Sequence, residues 1–210
     1  IFDMVFSQPD RLSPKSLRKM LPKRPEFEAA RKGLLEIPDN DELFAQTIDG
    51  AYVVTGFAMT GGKTTEAAPA IKAGFAENGD RAAPYLPAYS GAMKVLSNIE
   101  DKAAGNGALN AIPESDGVYR RIPMFVTLSD KIYPSLVAES LRVAQDASTF
   151  IIQAVGASGE EGFGETGLVS FKVGAVKVPT DENGQIWVRF TGDIPERYVP
   201  AWKLLDGSAP

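Results

Sequence analysis

The sequence predicts an α/β fold: a mixed central sheet with flanking helices and β-hairpins, incomplete at both chain ends, in a single domain spanning residues 1–210. Three observations point there. The front of the chain alternates strand-like, helix-like and strand-like runs. Two turn dipeptides, Asp116-Gly117 and Asn183-Gly184, each sit between β-rich segments. One amphipathic helix-like run lies between them. A chain of 210 residues, 44% hydrophobic and 23% charged, is long and apolar enough for one sizeable core.

Taken in order, residues 1–6 (Ile-Phe-Asp-Met-Val-Phe) read as a buried strand. Ser13 caps a short helix with Pro14 at its first position. Leu17, Met20 and Leu21 give that helix an apolar face, and Pro22 ends it. Residues 26–34 read as a weaker helix with Phe27, Ala30 and Leu34 on one side. Asp39 with Glu42 fits a capping box ahead of Leu43, Phe44 and Ile48. Residues 51–59 are rich in β-formers and read as the next strand. Residues 60–103 are rich in Gly, Ala and Pro, and residues 87–99 are their best helix.

Asp-Gly and Asn-Gly supply the positive φ angles that tight hairpins need. The first turn therefore joins residues 108–112 to 118–127, and the second joins 173–178 to 185–190. Between the hairpins, residues 134–147 read as a helix opened by Pro134. Leu136, Val137, Leu141 and Ala144 line one side. Glu139, Arg142 and Asp146 lie opposite, spaced to pair at i,i+3 and i,i+4.

Composition narrows the chemistry. A net charge of −5 opposes nucleic acid as a partner, which needs a dominant basic field. The absence of Cys and His removes thiolate and Ser-His-Asp nucleophiles and their metal sites. A catalyst here would rest on carboxylates, Lys, Tyr or Ser, and no cofactor or metal is expected. No apolar run approaches the ~20 residues that cross a bilayer, and no signal peptide is visible. Beginning at Ile1 inside a strand-like run, the chain reads as a piece of a longer protein.

Several motifs imitate chemistry. Gly162-Phe163-Gly164-Glu165-Thr166-Gly167 matches GxGxxG, but β-like residues follow it and Glu160, Glu161 and Glu165 would repel phosphate. Gly61-Gly62-Lys63-Thr64 lacks the leading glycine of a phosphate loop, where Phe57 stands. Arg11, Lys15, Arg18, Lys19, Lys23, Arg24, Arg31 and Lys32 make the front basic and read as a solvated face. The carboxylate pairs Asp39/Asp41 and Glu160/Glu161 fall in caps and loops.

Arg120 and Arg121 are the first candidate ligand-binding residues. Alternation puts Val118, Arg120, Ile122, Met124 and Val126 on one face and Tyr119, Arg121, Pro123 and Phe125 on the other. A guanidinium in such surroundings needs an internal partner, such as Asp116 or Asp130, or a bound anion. Tyr133 and Ser135 are the second pair, at a helix start whose free N–H groups can hold an anion. Trp187 and Trp202 read as core or interface anchors.

Three ordered blocks carry a resemblance. Phe2-Asp3-Met4-Val5-Phe6-Ser7-Gln8-Pro9-Asp10 is the first. Asp116-Gly117-Val118-Tyr119-Arg120-Arg121-Ile122-Pro123 with Tyr133-Pro134-Ser135-Leu136 is the second. Val178-Pro179-Thr180-Asp181-Glu182-Asn183-Gly184, Phe190-Thr191-Gly192 and Leu204-Leu205-Asp206-Gly207 make the third. Together they resemble the CHASE sensor domains of bacterial receptors, in their second type. The resemblance implies an extracytoplasmic (periplasmic) α/β sensor of a membrane-anchored receptor. Adenylate or guanylate cyclases, histidine kinases or serine/threonine kinases would be its output. It implies a homodimer, no catalytic residue and an unidentified small-molecule or protein signal. The family's opening strand lies upstream of Ile1 and a further strand follows Gly207, so an exposed sheet edge is expected to pair with another copy. A dimerisation module without a ligand, a periplasmic solute-binding protein and a carboxylate- or Lys-dependent enzyme are the competing readings.

Overall fold

Short polar side chains set the helix starts. In the computed structural model, which describes residues 1–63, 67–156 and 166–209, Ser13 Oγ accepts the Ser16 N–H at the head of α1 (Pro14–Met20). Met20 is exposed, so buried Pro14 and half-buried Leu17 carry that helix's inner face, with Leu21 just past its end. A 3-10 turn at Pro25–Phe27 leads into α2 (Glu28–Glu36). Asp39 accepts the Asp41 N–H at the head of α3 (Asn40–Ile48).

Residues 1–6 form no strand. Phe2 N–H donates to Val54 O at the start of β1 (Val54–Thr60) and Phe6 O accepts the Leu96 N–H, but no ladder runs between these two bonds. The segment is tethered by aromatic packing instead: Phe2 and Phe6 lie 5.5 and 5.2 Å from Phe44.

The stretch expected as a helix at residues 87–99 is mostly extended. Tertiary pairing overrides its weak propensity. Following β2 (Gly74–Asn78), it holds β3 (Ala88–Tyr89) and β4 (Gly91–Met93), and α4 (Ser97–Lys102) begins only after them. β3 pairs with β7 (Phe125–Leu128), whereas β4 pairs with β1. β1 also pairs in parallel with β5 (Gly105–Ala108). A bridge from Ala108 to Ser135 joins β5 to the end of β8 (Lys131–Pro134), and β8 pairs with β7. The ladders therefore close on themselves: 88–93, β1, β5, β8, β7 and back to 88–93. Phe57, Met59, Ala92, Ala108, Val126, Leu128 and Tyr133 form the apolar core of this ring.

The glycine turns form, but their hairpins do not. Gly117 (φ 81°) donates to Glu114 O, yet β5 goes to β1. β6 (Arg121–Pro123) goes instead to β12 (Gln185–Trp187). Gly184 (φ 70°) likewise donates to Asp181 O, while β11 (Val176–Pro179) pairs with β10 (Leu168–Val173). The real hairpins turn elsewhere. β7–β8 turns at Ser129 (φ 50°) and Asp130 (φ 62°), with no glycine, and β10–β11 turns at Gly174 (φ 53°).

β11, β10, β9 (Thr149–Ala154) and β2 make a four-stranded sheet. A second core lies against it, with Phe75, Phe125, Phe150 and Phe171 ring to ring at 5.1–6.2 Å. β7 and β8 stand between the two cores. Phe125 and Ile132 face the sheet, whereas Val126 and Tyr133 face the ring, which is the period-2 alternation of a strand buried on both sides. A third cluster joins α3 to α4 through Ala45, Ile48, Val95, Ile99 and Ala103.

Pro134 ends β8, and α5 (Leu136–Ala144) starts one residue later with Ser135 Oγ accepting the Ala138 N–H. Its faces follow the sequence reading only in part: Leu136 and Leu141 are half-buried, Leu141 packs on the core, and Asp146 is exposed as expected. Val137 and Ala144 are exposed, whereas Glu139 and Arg142 are buried against β5. The pairing predicted for those two at i,i+3 does form, at 2.7 Å.

The core of the molecule is thus an α/β arrangement of mixed sheets and flanking helices. A short helix, α6 (Ala201–Leu205), follows residues 188–200, which carry no strand. Among the described residues no helix is long and apolar enough to cross a membrane, and no cluster of His, Cys, Asp or Glu could hold a metal ion.

Candidate functional site

The four candidate binding residues fall into two places. Arg120 and Arg121 sit on the stretch leading into β6, beside the Asp116-Gly117 turn. Arg120 holds Asp116 at 2.7 Å and Glu114 at 3.0 Å. Arg121 donates to Glu114 at 3.2 Å and to Asp181 at 3.1 Å, and lies 5.5 Å over the Trp187 ring. Asp116 and Glu114 hold the Arg120 pKa above its usual value, and in return Arg120 lowers that of Asp116. Of the two partners named from sequence, Asp116 is used and Asp130 is not. Arg121 ties the 114–117 turn to the 181–184 turn, whereas Arg120 braces the 114–117 turn from within. Trp187 and Trp202 are both exposed, so neither anchors the core.

Tyr133 and Ser135 lie two residues apart at the end of β8 but border different clefts. Ser135 Oγ is committed to capping α5 and borders a 190 Å³ cleft with Asp3, Asn110 and Val137. Tyr133 is 1% exposed and packs edge-on against Phe57 at 5.8 Å. Among the described residues its hydroxyl has no hydrogen-bond partner, though it is not sealed from solvent. The tyrosine borders a 310 Å³ cavity at the β7–β8 turn, with Ser90, Leu128, Ser129 and Lys131. Burial, and then the nearby Glu100 charge, raise the Tyr133 pKa above its ordinary 10.0. Lys131 is exposed and makes no ion pair among the described residues. Among the described residues the lining thus offers a phenol, hydroxyls and an ammonium but no carboxylate, which suits a ligand with an anionic acceptor group.

Sequence reasoning missed the polar network beneath this ring. Glu100 accepts from Ala70 N–H at 2.9 Å, Asn106 Nδ2 at 2.8 Å and Lys94 Nζ at 2.9 Å. Asn106 also takes Thr55 Oγ1 on its side-chain oxygen at 3.2 Å and gives its backbone N–H to Glu139 at 3.2 Å. Arg142 closes the network on Glu139 and on the carbonyls of Ala104 and Ala147. Every charge is paired, as burial requires. Nothing in the local sequence marks Glu100 or Asn106, since their partners are brought together only by the fold.

A family model, the CHASE2 domain, matches this chain over residues 1–210. The chain belongs to the CHASE2 family. CHASE2 domains are extracellular sensory domains, so the cavity at Tyr133 and the arginine cluster belong to a signal-receiving module. No curated protein and no solved structure matches the chain. The CHASE2 assignment covers all three sequence blocks, and the mixed α/β sheets agree with the fold expected from them.

A prediction concerns the buried phenol. Tyr133→Phe loses no hydrogen bond, so stability at neutral pH is expected to change by less than about 0.5 kcal/mol. Because the pKa is raised in the folded state, the tyrosine's contribution is complete below its unfolded value and is lost as pH rises through the folded one. Urea denaturation at alkaline pH is therefore expected to show a shallower loss of stability for Tyr133→Phe. An equal loss in both proteins would show the phenol to be solvated.

Proposed function

We propose that this CHASE2 chain is the signal-input domain of a membrane-anchored receptor, extracytoplasmic and joined to a cyclase or sensor-kinase output. The observation that carries the sensor reading is the family match over residues 1–210. The input site we assign is the Tyr133 cavity, because it gathers a solvent-reachable phenol, the Ser90 and Ser129 side chains and the Lys131 ammonium around one concavity. Arg120 and Arg121 already have carboxylate partners, and an incoming anion would have to displace them. In this reading they hold the turns in place rather than contact the signal. Ser135 likewise acts as a helix cap. The ligand class is a small metabolite bearing a carboxylate or similar anion, met by Lys131 and Tyr133.

The test is a thermal-shift screen of this chain against small carboxylates and other metabolites. A concentration-dependent rise in melting temperature is expected, lost in Tyr133→Phe and Lys131→Ala and kept in Arg120→Ala. A rise lost only in Arg120→Ala or Arg121→Ala would move the site to the arginine cluster. No saturable shift from any compound would favour the second reading, a dimerisation module without a ligand. One observation supports that alternative: Trp187, Phe190, Tyr198, Trp202, Leu204 and Leu205 are all exposed along the C-terminal stretch. Apolar exposure on this scale marks contact surfaces. Sedimentation equilibrium of Trp202→Glu against the parent separates the two, since only a module held together by this stretch dissociates.

A further inference from the structure

α1 and α2 pack against each other and leave an open cleft of about 670 Å³ between them. Five cations border it: Arg18 from α1, Lys23 and Arg24 from the connection, and Arg31 and Lys32 from α2. Among the described residues Glu28 is the only carboxylate in its lining. On α2, Glu28, Arg31, Lys32 and Leu35 are spaced i, i+3, i+4 and i+7, so the helix turns one whole face into the cleft. Among the described residues none of the five cations has a carboxylate within ion-pairing distance. Elsewhere among the described residues Lys94, Lys102, Arg120, Arg121 and Arg142 are paired, while Lys72, Lys131 and Lys177 among others are not, so it is the gathering of five cations around one cleft that sets this face apart. Residues 11–36 hold eight cations against three carboxylates, inside a chain of net charge −5. The basic charge is therefore concentrated here and left unneutralised.

Two further features decide what it meets. Arg31 is positioned: its Nη1 donates to Arg18 O at 2.9 Å and Leu21 O at 2.8 Å, which fixes the guanidinium at the rim. Large apolar side chains are exposed in the same segment, namely Leu35 in the cleft, Leu12 and Met20 on α1 and its lead-in, and Ile37 after α2. A small anion would find no water-excluding wall, because Lys23, Arg24 and Lys32 are exposed and charges there are screened. An extended surface that is both anionic and apolar satisfies the cations and the exposed aliphatic groups together. We propose that the α1–α2 face docks on an anionic phospholipid surface, with the cleft cations on the phosphates and Leu35, Met20 and Leu12 at the acyl boundary. This replaces the solvated-face reading of the basic segment. It is independent of what fills the Tyr133 cavity.

The test is co-sedimentation of this chain with vesicles of phosphatidylcholine alone or mixed with phosphatidylglycerol. Binding is expected only to the mixed vesicles and is expected to fall as salt rises. Arg24→Glu/Lys32→Glu is expected to weaken it by at least about tenfold. Leu35→Ser, at constant charge, is expected to weaken it several-fold. Neither substitution removes a contact that holds the fold, and an unchanged circular-dichroism melt checks this. Equal binding to both vesicle types, or no loss in the double variant, overturns the proposal. Binding of soluble pyrophosphate at the cleft with indifference to vesicles also overturns it, in favour of a small-anion site.

Discussion

Gly107→Ala is expected to destabilise the protein by about 3 kcal/mol or more, a large share of an ordinary domain's total. A Cβ there would lie 2.6 Å from Leu136 Cα, 2.7 Å from Leu136 N and 2.8 Å from Ser135 O. All three are backbone atoms at the head of α5, so no side-chain rotation relieves the clash. The helix would have to back away from β5, and with it the Ala108–Ser135 bridge that closes the ring. Propensity alone points the other way, because glycine within a strand is unfavourable relative to alanine by roughly 0.5–1 kcal/mol. The sign of the change therefore separates close packing from propensity. Gly33→Ala is the control: nothing lies within 4 Å of a Cβ on α2, and a gain of up to about 1 kcal/mol is expected. Urea denaturation of the two variants measures both. If Gly107→Ala proves as benign as Gly33→Ala, the close approach of α5 to β5 is not real.

Glu139→Ala is expected to cost about 3–5 kcal/mol. Glu139 is 0% exposed, and its removal strands the Arg142 guanidinium between the carbonyls of Ala104 and Ala147. It also frees the Asn106 N–H, in the middle of β5. Glu139→Gln is expected to fall between, since its amide oxygen can still accept that N–H. Replacing both members by methionine recovers part of the loss, because an apolar pair carries no desolvation cost. The recovery is incomplete, because two carbonyls and one N–H remain without partners. A double-mutant cycle in urea gives the coupling between the two residues. Purely additive losses would show that the pair does not act as a unit.

Local signals were read correctly wherever the chemistry was local. Ser13 and Asp39 cap helices because a short oxygen-bearing side chain reaches the next free N–H. Gly117 and Gly184 turn with positive φ because they lack a Cβ. The same logic failed over longer distances. An Asp-Gly turn fixes a change of direction but not which strands pair afterwards, and here the strands on either side of each turn join different sheets. Ser129 and Asp130 adopt positive φ without glycine, held by the β7–β8 ladder, so composition gave no warning. Amphipathic reading misjudged α5 because it assumes that charge faces water. Glu139 and Arg142 are buried as a matched pair, and their exact spacing of three residues was the one legible trace of it. Sequence singled out Tyr133 and the two arginines as candidates, but not the burial of the phenol or the carboxylates that the arginines meet. Arg120 meets Asp116 within its own turn, whereas Glu100, Asn106 and Glu139 come from three elements. The GxGxxG run at Gly162–Gly167 lies largely outside the described residues, as does Thr64 after Lys63.

The β7–β8 hairpin has no free side. Ile132 and Tyr133 are neighbours on one strand, yet one belongs to the core of the four-stranded sheet and the other to the core of the ring. Interiors packed at crystal-like density have little slack to take up a displacement. A displacement of the Tyr133 ring would therefore press Ile132 and Phe125 on Phe75, Phe150 and Phe171, so the hairpin is built as a stiff push-rod between the two cores.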